Sequence, residues 1–207
     1  MAATLTVFTG PMFSGKSTRL VSALDHEVHG DNVILLLKAA TPAEDRTHGV
    51  GCRKKTVTNG NTEEAKFEEY AAETVGSIQE AEELFQKIKP QVIGIDEAHF
   101  LPFEFTNWIA GKLDKNECGN LQIYVSGLDT DYARRPFGIM PDLLAMADEV
   151  IKLRAKCDTC KGKKGHGIFT QKKSRSLKQI EVGNKKLYGA ACRACHTIPA
   201  ISDRTLE

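Results

Sequence analysis

The sequence predicts an α/β protein, a parallel sheet flanked by helices, with a small cysteine-bearing unit after it. Three observations carry that expectation. Gly10-Pro11-Met12-Phe13-Ser14-Gly15-Lys16-Ser17 matches G-x-x-x-x-G-K-[ST], a phosphate-binding loop, and lies between a β-prone run and a stretch of helical periodicity. The apolar runs at 33–37 and 92–95 read as strands buried on both faces of a parallel sheet. Cys157-x-x-Cys160 and Cys192-x-x-Cys195 have the spacing of two metal knuckles, which suits four thiolates around Zn²⁺.

A chain of 207 residues fits one domain of about 150 residues with an appendage. Its 41% hydrophobic and 27% charged content is that of a globular protein. With no 18-residue apolar run and no signal-peptide pattern, the expectation is a cytoplasmic protein without membrane contact. In that reducing setting metal is preferred to disulfides. The formal net charge of +1 hides an asymmetry. Residues 1–150 hold 14 Lys+Arg against 23 Asp+Glu, a net of −9, and residues 151–207 hold 14 against 4, a net of +10. A basic C-terminal part suits nucleic acid, an anionic small molecule or an acidic neighbour, and does not choose among them.

Taken in order, residues 4–9 read as a strand into the glycine loop, and Leu20, Leu24 and Val28 mark the helix after it. Glycines let the backbone wrap an anion where side chains would collide. Lys16 would meet the β and γ phosphates, Ser17 would offer a hydroxyl to Mg²⁺, and the helix start at Thr18 would add its positive dipole end. Residues 33–37 form the second strand. Residues 39–61 read as a polar loop with a short hairpin around Thr56-Val57-Thr58, and the acidic stretch 62–73 as a solvated helix face. Ser77 to Glu80 is a capping box, opening a helix that runs to Pro90.

Val92-Ile93-Gly94-Ile95 then ends in Asp96-Glu97, two carboxylates at the carboxyl end of a strand, where open α/β sheets gather ligands. Asp96 is expected to act on Mg²⁺ and Glu97 to accept a proton from an attacking hydroxyl. His99 reads as a polar loop histidine, and Phe100 as a residue able to stack on a flat ring. A helix follows Pro102, a strand covers 121–126, and Gly127 to Phe137 combines aromatics, paired arginines and carboxylates at a third strand end. A short helix at 141–147 and a last strand at 150–153 close the first unit.

Together GPMFSGKST (10–18), IDEAHF (95–100), GLDTDYARRPF (127–137), CDTC and CRACH resemble type II (cellular-type) thymidine kinases, in order from about residue 4 to 197. The resemblance implies a P-loop NTPase-type sheet with a zinc-binding lasso domain. It implies phosphoryl transfer from ATP with Mg²⁺ to the 5′-hydroxyl of thymidine, in a homotetramer inhibited by dTTP. Glu97 matches the family's catalytic base, Asp96 its metal-associated acid, and Arg46 an arginine near the phosphates. The family pattern there is Asp-x-Arg, whereas this chain has Glu44-Asp45-Arg46. Met12, Phe100, Leu128, Tyr132 and Phe137 match thymine-pocket positions, and Thr170, Ile180, Val182, Gly183 and Tyr188 fall in the lasso. Tyr132 stands where the family often has phenylalanine, which bears on base preference.

The expected division is 1–153 for the nucleotide-binding kinase domain, 154–200 for the zinc-binding lasso domain and 201–207 for a tail. Zn²⁺ is expected on Cys157, Cys160, Cys192 and Cys195, with His196 as the alternative fourth ligand. Metal loss is expected to weaken nucleoside binding before ATP binding. Two other readings compete: a deoxynucleoside kinase of altered base preference, and a zinc-ribbon ATPase on nucleic acid, which predicts strongly salt-dependent affinity.

Overall fold

The computed structural model describes residues 2–28, 32–41, 49–54, 57–58, 61–62, 66–174, 178–179 and 186–198. Strand β1 (Thr4–Thr9) runs into the glycine loop, and α1 (Lys16–Val28) buries Leu20, Val21 and Leu24. After β2 (Ile34–Ala39) come two small antiparallel pairs, β3 (Gly49–Lys54) with β6 (Lys66–Ala71) and, between them, β4 (Val57–Thr58) with β5 (Asn61–Thr62). The inner pair is the expected hairpin.

The outer pair corrects the sequence reading, because Lys66–Ala71 is a strand and not a solvated helix face. A charge run has no period of its own to impose, and here the ladder from Gly49↔Ala71 to Lys54↔Lys66 takes up the backbone groups. Val50 and Ala72 tie this pair to Val21 of α1.

β7 (Glu73–Val75) leads to α2 (Ile78–Ile88), which carries the expected capping box: Ser77 Oγ accepts from Glu80 N at 3.3 Å, and Glu80 reaches back to the Ser77 N–H at 3.3 Å. β8 (Val92–Asp96) ends in a short 3₁₀ turn at Ala98–Phe100, followed by α3 (Glu104–Lys115), β9 (Gln122–Gly127), α4 (Met140–Met146) and β10 (Glu149–Lys152). β11 (Phe169–Lys172) and β12 (Tyr188–Ala191) pair only with each other among the described strands.

Six strands form one all-parallel sheet in the order β10-β1-β9-β8-β2-β7. On one face α2, α3 and α4 bury Phe85, Phe105, Ile109 and Leu143 in the main core, and on the other Leu20 and Leu24 of α1 pack with Phe8 and Val92. Each such side chain contributes about 1.5–3 kcal/mol by burial. Because the strands are parallel, the carboxyl ends of β1, β9 and β8 lie at one edge of the sheet. Gly10, Gly127 and Asp96 therefore meet there.

Helices α2 and α3 are locked through Glu82. It accepts from Trp108 Nε1 at 2.7 Å, Lys112 Nζ at 2.9 Å and Gln86 Nε2 at 2.8 Å. Lys112 is buried, its ammonium 3.8 Å over the Phe85 ring. Burial alone would push the Glu82 carboxyl up, but hydrogen bonds from Gln86, Lys112 and Trp108 and the Lys112 charge outweigh it and hold it at about 2. In Glu82→Ala the nearest remaining carboxylate, Glu117, is 3.9 Å from the ammonium. Denaturant titration at pH 7 should show a loss of about 1–3 kcal/mol. A depressed carboxyl stabilises fully above its ordinary 4.5 and loses that contribution as pH falls towards about 2, so wild type and variant should converge in acid. An equal gap at pH 7 and pH 2 would exclude the carboxylate charge as the cause.

Candidate active site

The glycine loop leaves β1 at Gly10, whose φ of +135° favours glycine and whose missing side chain would run into the Leu153 carbonyl. Phe13 and Gly15 also have positive φ, at 65° and 86°. Lys16 opens α1 and folds its ammonium back to donate to Pro11 O at 2.9 Å, while Ser14 N–H donates to the same carbonyl at 3.3 Å. Thr18 lies in the same first turn of α1. Burial pushes the Lys16 pKa down, opposed by the charges of Glu97, Asp96 and Asp129. The ammonium is thus enclosed and faced by three carboxylates.

Asp96 is fixed by two hydroxyls. Ser17 Oγ donates to its Oδ1 at 3.1 Å, and Ser126 Oγ, from the intervening strand β9, makes a short contact with the same oxygen. Burial and the Glu97 charge raise its carboxyl to about 6, against the hydrogen bonds from Ser126, Ser17 and the Glu97 backbone. A carboxylate and a hydroxyl this close form a hard-oxygen donor pair, which fits Mg²⁺. Glu97 follows with φ 55° and ψ 36°, the left-handed region, a conformation that costs strain in a non-glycine residue and turns the chain out of the sheet.

His99 is not the polar loop residue that the sequence suggests. It is 3% exposed, accepts the Leu128 N–H at Nδ1 (3.2 Å) and faces Glu97 Oε2 with Nε2 at 3.4 Å. Burial, then the Lys16 charge, lower its pKa to about 3 despite Asp96, so the ring is neutral. It packs against Phe100 and Phe137 with centroids 4.1 and 4.7 Å away, and those two rings meet edge to face at 5.8 Å. Leu128, Tyr132 and Phe137 are all buried in the same loop.

That loop hangs on Asp131, which the sequence reading did not single out. Its fully buried carboxylate accepts from Ala133 N (2.8 Å), Arg135 N (3.0 Å) and Arg135 Nε (2.8 Å), and also from Gln179 Nε2 at 3.1 Å. The repeated acceptor role is an Asx-type turn, legible as Asp-x-Ala-x-Arg only in hindsight. Lys172 Nζ lies 4.8 Å over the Tyr132 ring.

Thr170 and Tyr188 fall on β11 and β12, both buried. Thr170 Oγ1 accepts the Met12 N–H at 3.0 Å, so the β11–β12 pair touches the glycine loop directly. The Thr170 carbonyl faces His196 Nε2 at 3.1 Å, and His196 Nδ1 accepts from Arg134 Nε at 3.1 Å. Both ring nitrogens of His196 are therefore engaged away from the cysteines. Arg46, Ile180, Val182 and Gly183 lie outside the described residues, as do Glu44 and Asp45.

Cys157, Cys160, Cys192 and Cys195 bring four Sγ atoms within 4.8 Å of one another. The Cys160–Cys192 pair is 3.9 Å apart, against about 3.8 Å across a tetrahedron with bonds of about 2.3 Å. Burial would push the Cys157 thiol up, but backbone N–H groups of Cys160, Cys192 and Thr159, with the Cys160 side chain, hold it at about 6. Lys164 N donates to Cys160 Sγ at 3.3 Å. These contacts stabilise thiolate, the form that binds metal.

The thymidine kinase family model matches residues 3–196. The chain belongs to the thymidine kinase family. A thymidine kinase of Mesomycoplasma hyopneumoniae (strain 7448) is 33% identical over 192 residues, which cover 93% of this chain and 94% of that protein. Thymidine kinase a of Arabidopsis thaliana is 33% identical over 208 residues, 97% of this chain and 79% of its own. A thymidine kinase of Thermococcus kodakarensis is 31% identical over 202 residues, covering 94% of both. Among the described residues no helix is long and apolar enough to cross a membrane.

Thr170→Val keeps the shape and removes the acceptor of the Met12 N–H. The expected cost is about 1–3 kcal/mol in denaturant titration, together with weaker nucleotide binding by a loop that has lost its clamp. Unchanged stability with unchanged nucleotide affinity would make the contact incidental.

Proposed function

We propose that this family member transfers the γ-phosphoryl group of ATP to the 5′-hydroxyl of thymidine, and to deoxyuridine as the nearest analogue. The observation that carries the reading is the placement of Glu97. It stands in a strained turn beside the Lys16 loop on one side and the His99, Phe100 and Phe137 rings on the other.

In this reading the amides of residues 10–18 and the Lys16 ammonium hold the donor phosphates, with the Met12 N–H already given to Thr170. Arg46 is assigned to the same phosphates from the family pattern alone. Ser17 and Asp96 would hold Mg²⁺, which supplies charge neutralisation on the phosphate oxygens. Glu97 takes or orients the 5′-hydroxyl proton, so the hydroxyl oxygen attacks as the bond to the leaving diphosphate breaks. Met12, Phe100, Leu128, Tyr132, Phe137, Thr170 and Tyr188 are assigned to the base pocket, and Ile180, Val182 and Gly183 to a lasso over it, from the family pattern. Phosphoryl transfer needs little covalent help from protein, so position and charge account for most of the rate.

Cys157, Cys160, Cys192 and Cys195 are assigned one structural Zn²⁺, with His196 reserved for Arg134 and Thr170. The division at 153/154 is supported by the end of β10 at Lys152 and the self-contained β11–β12 pair. A cytoplasmic homotetramer inhibited by dTTP completes the proposal on the family resemblance.

A panel of nucleosides with ATP tests the assignment: thymidine and deoxyuridine should be phosphorylated and purine deoxynucleosides rejected. A flat profile would sink it. Glu97→Gln should still bind ATP while kcat falls by about 10² to 10⁴, and near-normal turnover would remove Glu97 from the role. Elemental analysis should find one zinc per chain. Cys157→Ser and Cys192→Ser should lose it and raise KM for both substrates, since β11 reaches the glycine loop. Retained affinity for ATP alone would instead favour an isolated nucleoside-side effect.

A further inference from the structure

We infer that His99 is a positioning residue for Glu97, holding one carboxylate oxygen so that the other is presented to the nucleoside hydroxyl. The inference rests on the role proposed for Glu97, and four observations lead to it.

First, the tautomer is fixed. Nδ1 accepts the Leu128 N–H at 3.2 Å, so in the neutral ring the proton sits on Nε2. Second, that Nε2 is buried and has no hydrogen-bond partner within the protein, while Glu97 Oε2 lies 3.4 Å away. Buried N–H groups are rarely left without an acceptor, and catalytic hydrogen bonds are often long before substrate arrives. A closure of a few tenths of an ångström completes this one. Third, the ring is wedged between Phe100 and Phe137, with centroids 4.1 and 4.7 Å away, which opposes its turning from Glu97. Fourth, Glu97 needs such a guide. Its backbone is set at φ 55°, but its side chain is 36% exposed and otherwise free to swing towards solvent.

The arrangement also has a direction. Leu128 opens the loop whose Tyr132 and Phe137 are buried beside the nucleoside site, so His99 joins the seating of that loop to the orientation of the base.

Two substitutions separate this role from packing. In His99→Asn the side-chain oxygen reaches the former Nδ1 position and can keep the Leu128 N–H, but nothing reaches Glu97. In His99→Gln the amide nitrogen reaches the former Nε2 position and can donate to Glu97. Steady-state kinetics with thymidine and ATP, together with melting temperatures, should be measured for both variants alone and in the Glu97→Gln background. We expect His99→Asn to lower kcat by about 10- to 100-fold, with the KM for ATP within about twofold. His99→Gln should recover most of that loss. In the Glu97→Gln background either substitution should change kcat by less than about twofold, since residues acting as a unit are not additive. Equal losses for Asn and Gln, a full kcat in His99→Asn, or an undiminished penalty without Glu97 would each overturn the inference. Absence of thymidine phosphorylation by the unmodified protein would instead overturn the functional reading, and the His99 role with it.

Discussion

A buried ammonium is costly unless carboxylates surround it, and Lys16 imposes that condition on the carboxyl edge of the sheet. Its compensation comes from three residues on two other strands' exits: Asp96 and Glu97 after β8, and Asp129 after β9. They converge only because β1, β9 and β8 are neighbours in parallel register, with Thr9 opposite Gly127 and Ile95 opposite Val125. The Thr9 hydroxyl donates to the Gly127 carbonyl at 3.1 Å and Ser126 touches Asp96, so β9 acts as the spacer between the glycine loop and the acid pair. Asp129 is shared with Lys152 at 2.6 Å, which leaves Asp96 and Glu97 as the acids of this group not given to a second lysine. A polyphosphate with its divalent cation suits that balance of charge.

The strand–loop–helix at 4–28, the capped α2, the acidic strand end and the cysteine spacing were all legible because each is a local signal. A turn that needs glycine, a cap that needs serine and a knuckle that needs two thiols declare themselves within a few residues. The 66–71 strand is not, since its partner residues lie 12 (Lys54↔Lys66) to 22 (Gly49↔Ala71) positions upstream and its formation depends on pairing rather than periodicity. The burial of His99 is hidden from the sequence for a related reason. It comes from Phe137 and the Leu128 amide, residues that the chain brings to the ring only after another helix and strand have packed. Asp131 and Ser126 look like ordinary loop and strand polar residues until the acceptor and donor they serve are known.

The cysteine-bearing part is fastened to the first unit by hydrogen bonds of its own. Its β11 gives Thr170 Oγ1 to Met12, its His196 gives one nitrogen to Arg134, and Gln179 reaches Asp131. These hydrogen bonds join it to the first 153 residues at two places, the glycine loop and the 127–137 loop. The sequence expectation that metal affects nucleoside binding first treats this part as a lasso alone. The Thr170 contact would give a metal on the four cysteines a second line of influence, on the glycine loop.

The position of β1 inside the sheet, between β10 and β9, has a consequence for biosynthesis. β1 is made well before its two neighbours, β9 and β10, at residues 122–127 and 149–152, and the Met12 amide finds its acceptor 158 residues further on. While the chain is still emerging from the ribosome, Leu5, Val7 and Phe8 have no sheet to enter, and the glycine loop has neither its neighbouring strand nor its clamp. Such long sequence separations slow folding and lengthen the exposure of apolar strand edges. The glycine loop therefore reaches its final surroundings only after residues 122–152 and Thr170 have been made.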